Sequence, residues 1–412
     1  MRNMLVQTLR WSEKYTKTDM VYLAHGGFWL SVGQIGGIFL TFLLTVLFAN
    51  LLPATTYGNY KFVLAIVGII TAFSLSSMAA AITRSAAKGF DGALLQGFLT
   101  QIRWSFIPIT IALGLGAYYF LNQNLTLAGG ILLGGVFSII SIAGGYYDAF
   151  LVGKKKFKTK TILFLIRNTL ATATIIATLL VTKEVLLILF AHFFSHALIS
   201  FVFFVYVQKN VSSEKKTDPE LPAYGLHLSL MNILGSVANN VDTILVFHFL
   251  GALPTAIYAF ATGIPSQIQG SSRIISTLLL PKTSTQKLDR LKESVPRKAF
   301  LFFIFITFVV GLYIVTAPYI FKIFFPLYLN AVPYSQIFSL TLLALPSMFF
   351  SNVLTAHMRT KELYVIQITM PIVRITLLLI LLPLFGLWGA IYALVSSRAI
   401  GIALLLFLFN RL

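Results

Sequence analysis

The 412 residues contain no cysteine, which rules out a disulfide framework and any thiolate metal or redox centre. Charge is scarce as well: Asp, Glu, Lys and Arg make up 10% of the chain, against roughly 25% in an average soluble domain. A surface this poor in charge does not face water, and no polar stretch is long enough to house a sizeable soluble domain. Acids are the scarcest class, with 12 Asp and Glu against 31 Lys and Arg. No HExxH run occurs, and no cluster of carboxylates marks a catalytic centre. The first twenty residues are too polar for the apolar core of a signal peptide. Met4, Leu5, Leu9 and Trp11 among basic residues suggest instead a short helix lying on the inner membrane face, with a frayed cytoplasmic tail as the alternative.

What is present is apolar sequence in long blocks. The chain is 58% hydrophobic with a mean hydropathy of +0.87. Runs of about 20 apolar residues are long enough to cross a bilayer as helices. Twelve are expected, over 21–48, 59–83, 101–121, 125–152, 160–182, 184–207, 222–250, 254–280, 298–321, 333–356, 362–383 and 387–410. The fold class is therefore all-α and polytopic. The net charge of +19 is no sign of nucleic-acid binding, because the bases recur between every second pair of spans. One set of loops and termini holds 24 of the 31 Lys and Arg, while the alternate set holds Lys183 and Lys322. By the positive-inside rule both termini are cytoplasmic, and the count of spans is even. The ends bearing the basic loops are called the basic face below, and the opposite ends the sparse face.

The chain also repeats itself. Pro53 and Tyr57 in "FANLLPATTYGNYKF" match Pro254 and Tyr258 in "FHFLGALPTAIYAFA", 201 residues later. A second echo sets Arg167 opposite Arg374 at an offset of 207. Two echoes at the same span positions imply a duplicated six-span unit. Six is even, so the copies run parallel, about an axis along the membrane normal, with a transport pathway expected in the cavity between them. The division is a cytoplasmic segment 1–20, a six-helix bundle over 21–207, a cytoplasmic linker 208–221 and a second bundle over 222–412. Gly26, Gly27, Gly33, Gly36 and Gly37 in span one, and Gly129, Gly130, Gly134, Gly135, Gly144 and Gly145 in span four, read as close helix packing.

Seven charges lie at membrane depth: Lys61, Asp148, Arg167, Asp242, Arg273, Arg374 and Arg398. Each costs about 2.5–3.5 kcal/mol on insertion scales, so such groups face a wet cavity or a partner. Five bases against two acids point to a hydrated chamber whose field attracts an anion. Arginine suits the task because its fork grips phosphate oxygens in pairs. Arg374 and Arg398 sit near mid-span and read as cavity-facing. For Arg167 and Arg273, nearer the basic face, snorkelling to the headgroups competes evenly with that role; for Lys61, near the sparse face, snorkelling is favoured. Asp242 follows Asn239 and Asn240, a polar cluster that reads as inward-facing. Asp148 has the alternative of pairing with a nearby lysine. His192 and His196 share one helix face; with no third ligand, polar packing or cavity lining is the better reading, and no metal is expected.

The order and spacing of these features resemble a known family. "LLP..YG.Y" after span one, "LG..P.AIYAFA" after span seven, an Asp before "ILVFHFLG" and "LFGLWGAIYAL" at 384–394 are similar to the polysaccharide flippases, relatives of the multidrug exporters. The resemblance covers about 21–410. It implies a non-enzymatic transporter, without cofactors, that moves a polyprenyl-pyrophosphate-linked oligosaccharide from the inner to the outer leaflet by alternating access. It implies membrane lipids as partners, together with a polysaccharide polymerase and glycosyltransferases, and it assigns Asp242 as the characteristic span-seven acid. The cations are fixed by no family motif and rest on the charge argument: the substrate-binding set is Arg374, Arg398, Arg273, Arg167 and Lys61, with Asp242, Asn239, Asn240 and Asp148 as coupling or cavity residues. The rival readings are a drug or cation antiporter, which would favour acidic lining, and a membrane enzyme of polysaccharide assembly, which would need an outer loop or carboxylate cluster.

Overall fold

Long apolar runs in a bilayer must satisfy their backbone groups internally, and helices do so. The computed structural model describes the backbone of residues 20–211, 216–284, 286, 288–357 and 359–411, and their side chains except at 20–25, 271–282, 284 and 289. The proposed surface helix of the first twenty residues lies outside the described side chains. The described residues are nearly all helical, without strands.

The first half comprises α1 (Met20–Leu51), α2 (Ala54–Ala72), α3 (Met78–Ala87), α4 (Ala93–Trp104), α5 (Phe106–Leu121), α6 (Leu125–Gly153), α7 (Phe157–Val181) and α8 (Val185–Asn210). The second comprises α9 (Leu221–Ala238), α10 (Val241–Leu250), α11 (Ala252–Ser284), α12 (Leu288–Phe324), α13 (Val332–Ser339), α14 (Ser347–Ala356), α15 (Thr360–Phe385) and α16 (Leu387–Asn410). Several expected spans are broken helices: α2 with α3, α4 with α5, α9 with α10, and α13 with α14. The expected connection at 84–100 is itself largely helical, because α4 starts at Ala93 and runs on into span three. Among the described residues, ten stretches are long and apolar enough to cross a membrane. The other two spans are α2 with α3, divided at 73–77, and α11, whose interior carries Thr262, Ser266, Gln267 and Gln269. The protein is a polytopic membrane protein of about twelve spans in two six-span halves.

Local chemistry sets the turns. Asn124 caps α6, its side chain accepting from Leu127 N at 3.1 Å. Gly251 (φ +86°) and Gly386 (φ +58°) make the tight joins α10–α11 and α15–α16, where a side chain would be strained.

The first half is tightly packed. The glycines of α1 receive the side chains of α7: a Cβ at Gly36 would lie 2.5 Å from Leu165, and one at Gly33 3.3 Å from Thr161. On α6, Gly130 and Gly134 admit Val63 and Val67 of α2, and Gly144 abuts the backbone of α8 at Ser200 and Phe201. Small residues here let helix axes approach, which is the source of attraction between helices in lipid.

The halves meet closely at the sparse face, where α2 packs along α11. Gly58 sits so near Ala252 that a Cβ would fall 1.9 Å from its carbonyl oxygen. Tyr57 stacks on Phe260 with ring centroids 4.6 Å apart, and Phe62 on Phe247 at 3.8 Å. Asn50 Nδ2 donates to the Phe324 carbonyl at 3.0 Å. These rings belong to one apolar cluster drawn from both halves, which also takes in Phe321, Phe325 and Tyr328. The duplicated Pro–Tyr turns thus seal the sparse face, each against the other. At the basic face the contact is both apolar and polar: Leu221 shares a buried cluster with Met78, Ile82 and Leu94, Asn232 donates to Ser77 at 2.9 Å, and the linker adds Ser85 Oγ donating to buried Asp218 at 2.6 Å and Arg84 paired with Glu220 at 3.1 Å.

Candidate functional site

The cavity expected between the halves is lopsided. A chamber of about 760 Å³ is lined wholly by residues of the second half. Three helices give it eleven-step stretches: Tyr258 to Gln269 of α11, Leu363 to Arg374 of α15 and Leu394 to Leu405 of α16. At 1.5 Å per residue each stretch spans about 16 Å. Following chain direction, Tyr258, Arg374 and Leu394 stand at the sparse end of the chamber, and Gln269, Leu363 and Leu405 at the basic end. Beyond the sparse end an apolar cluster that includes Val246, Leu378, Leu382 and Ile391 plugs the route.

The floor is an ion pair built on a helix break. The α9–α10 join at Asn239 and Asn240 puts Asp242 in the first turn of α10, where the partial positive charge of a helix start favours an acid. Arg374 Nη2 of α15 meets Asp242 Oδ2 at 3.0 Å, and Arg374 Nη1 donates to Asn239 Oδ1 at 3.4 Å. The hydroxyl of Tyr258 donates to the same carboxylate oxygen. Arg398 of α16 lies on the chamber wall and is exposed to it. Among the described residues no carboxylate lies within ion-pair distance of it. Two guanidiniums against one carboxylate leave the lining with an excess of one positive charge. Around it stand Thr262, Ser266, Gln269, Thr341, Ser347, Ser351 and Gln367, neutral groups that offer both donors and acceptors.

Of the residues singled out from sequence, the structure gathers Arg374, Arg398, Asp242 and Asn239. Asn240 turns from the chamber: its Nδ2 donates to Ser236 O at 2.9 Å, and its side chain abuts Gly68 of α2. Arg273 belongs to α11, but its side chain lies outside the described residues. Arg167 and Asp148 lie in the first half, apart from the chamber. Asp148 pairs with Lys160 at 3.4 Å, and the Arg167 guanidinium sits 5.6 Å from the Phe164 ring centre. Lys61 stands over the Tyr57 ring at 5.4 Å, within the seal. His192 Nδ1 and Tyr60 OH are 3.1 Å apart, and the ring centres of His192 and His196 5.0 Å apart.

Sequence reasoning treated Tyr258 as a turn residue and passed over Thr262, Ser266 and Gln269. Their signal was present: 258, 262, 266 and 269 recur at helical spacing and give an apolar span one polar stripe.

The sequence family described as "Polysaccharide biosynthesis protein" matches residues 23–287. No curated protein matches the chain. Solved structures share the fold. One is an inward-facing multidrug resistance MATE-family transporter of the MOP superfamily, with a TM-score of 0.71 and 12% identity over 93% of this chain and 98% of that one. An outward-facing transporter of that description gives 0.67 and 13%, over 94% of each chain. A MOP-superfamily transporter from Pyrococcus furiosus, described as having a binding pocket of reverse polarity that suggests a different function, gives 0.62 and 12%, over 93% of this chain and 95% of that one. At these identities the likeness is one of fold.

Proposed function

Because the chain belongs to the polysaccharide biosynthesis family, in a superfamily fold used by membrane transporters, we propose that it flips a polyprenyl-pyrophosphate-linked oligosaccharide from the inner to the outer leaflet of the cytoplasmic membrane. The observation that carries this reading is the lining of the second-half chamber: Arg374 and Arg398 against the lone carboxylate of Asp242, among hydroxyl and amide side chains. An anionic pyrophosphate is drawn to Arg398, and the neutral polar wall offers sugar hydroxyls their hydrogen bonds. The polyprenyl tail stays in the lipid. The basic loops support an orientation with the basic face and both termini in the cytoplasm, so the chamber loads from the side where lipid-linked sugars are assembled. A polymerase and glycosyltransferases are the partners this role calls for. Outward movement of each negative charge across an inside-negative potential yields about 2.3 kcal/mol per 100 mV.

A cation or drug antiporter is the second reading. Asp242 favours it, as an acid at the chamber floor, and so do the multidrug transporters that share the fold. The charge balance of the wall opposes it, since Arg374 already neutralises that acid.

The test is flipping of a polyprenyl-pyrophosphate-linked glycan in reconstituted vesicles. Arg374→Ala and Arg398→Ala should impair it more than Arg374→Lys and Arg398→Lys. Normal flipping by both alanine variants at normal abundance removes the assigned site. An Asp242→Asn variant that loses exchange of an organic cation for protons, beside unchanged arginine variants, supports the second reading instead.

A further inference from the structure

The seal contains a charge that the second-half chamber does not use. Lys61 lies in the second turn of α2, and a lysine so near the membrane surface normally extends to water. Here it is only partly exposed, and its ammonium rests over the ring of Tyr57, which is itself 1% exposed beneath Phe260. Among the described residues no carboxylate pairs with it. Its helix position explains the placement. Tyr57, Gly58, Phe62 and Gly68 all face the second half, through Phe260, Ala252, Phe247 and Asn240. Position 61 falls on that stripe, three residues from Gly58 and four from Tyr57. A cation is thus held over an aromatic ring that itself stacks on the second half, beside the surface where the halves must part if the sparse face is to open.

Burying an uncompensated cation disfavours the closed seal, and uncovering it creates a positive centre on the newly opened surface. The Tyr57 hydroxyl, released from the same stack, supplies a hydrogen-bond donor beside it. We propose that Lys61 is an anion-binding residue of the seal, covered in the state described here and exposed when the sparse face opens, where it receives the phosphate groups of the cargo. The cargo's identity rests on the reading given above; the site itself rests on the seal geometry.

The absence of native cysteine makes the test direct. Ala256 is 0% exposed within the seal cluster, so a thiol from Ala256→Cys reacts with a maleimide only when the seal opens. Labelling is followed in nanodiscs with inorganic pyrophosphate as the probe, in an Arg398→Ala background so that the chamber does not contribute. Pyrophosphate at about ten times its dissociation constant should raise the open fraction, and so the labelling rate, about tenfold. Lys61→Arg should keep that response, and Lys61→Met should abolish it while slowing labelling without ligand. Lys61→Gln serves as a second neutral variant should the methionine protein not fold. No pyrophosphate response in the parent, or an equal response in the neutral variants, overturns the proposal. Neither result bears on the chamber, whose arginines are tested by flipping.

Discussion

Arg167 and Arg374 hold equivalent places in the two copies of the repeat, yet their surroundings have diverged. The 201-residue offset of the first echo sets Thr41 opposite Asp242. Thr41 returns its hydroxyl to Gly37 O of its own helix at 2.9 Å, so α1 offers Arg167 no acid. Arg167 lies instead beside Phe164 and behind an Asp148 already paired with Lys160. Arg374 finds Asp242, Asn239 and an open chamber. The gap between helices differs in the same sense. Between α1 and α7 glycines admit Leu165 and Phe164 until little space remains, whereas a Cβ at Gly235 of α9 would meet nothing within 4 Å. The groove beside one helix is close-packed in the first half and opens on a chamber in the second, and the difference lies in which side chains fill it.

The sharpest way to break this comparison is to remove each arginine in turn. Arg374→Ala leaves Asp242 buried without its partner and should destabilise the protein by about 3–5 kcal/mol. Adding Asp242→Asn should recover much of that loss without restoring transport. Arg167→Ala should cost less, because Asp148 keeps Lys160. Thermal unfolding of the purified proteins reads all three, and equal losses for the two arginines would remove the contrast. Next in size is a packing test. Gly36→Leu drives a side chain into Leu165 and should cost about 1–3 kcal/mol or more. Gly235→Leu enters open space and should leave the melting temperature close to that of the parent while filling the chamber and blocking flipping. A large fall in melting temperature for Gly235→Leu would show that the second half is not hollow there. The smallest expected effect is on the stability of Arg398→Ala. Its guanidinium has no described carboxylate partner, so stability should move by no more than about 0.5 kcal/mol even as transport falls.

Much of this architecture was legible in the sequence. Apolar run length gave the spans, alternation of basic loops gave the two faces, and the Pro–Tyr echo gave the halves. The glycines of spans one and four read as packing residues, and the structure places most of them against side chains of neighbouring helices. The candidate site was legible only in part. Arg374, Arg398 and Asp242 stood out because charge at membrane depth is costly. Tyr258 did not, because a tyrosine after a turn carries no such cost. Thr262, Ser266 and Gln269 escaped for a related reason: a polar stripe lowers the hydropathy of a span and reads as a weak helix until its face is known to line a chamber.

The sequence by itself determined what is local along the chain: helix from apolar length, turns at Gly251 and Gly386, and the alternation of basic-rich and basic-poor loops. Only the tertiary structure decided that the chamber belongs to the second half, that Asp242 meets Arg374 across 132 residues of chain, and that Tyr57, over whose ring Lys61 stands, stacks on Phe260 of the other half. Such outcomes depend on volumes and charges matched between helices far apart in sequence, and no pattern within a single helix encodes its partner.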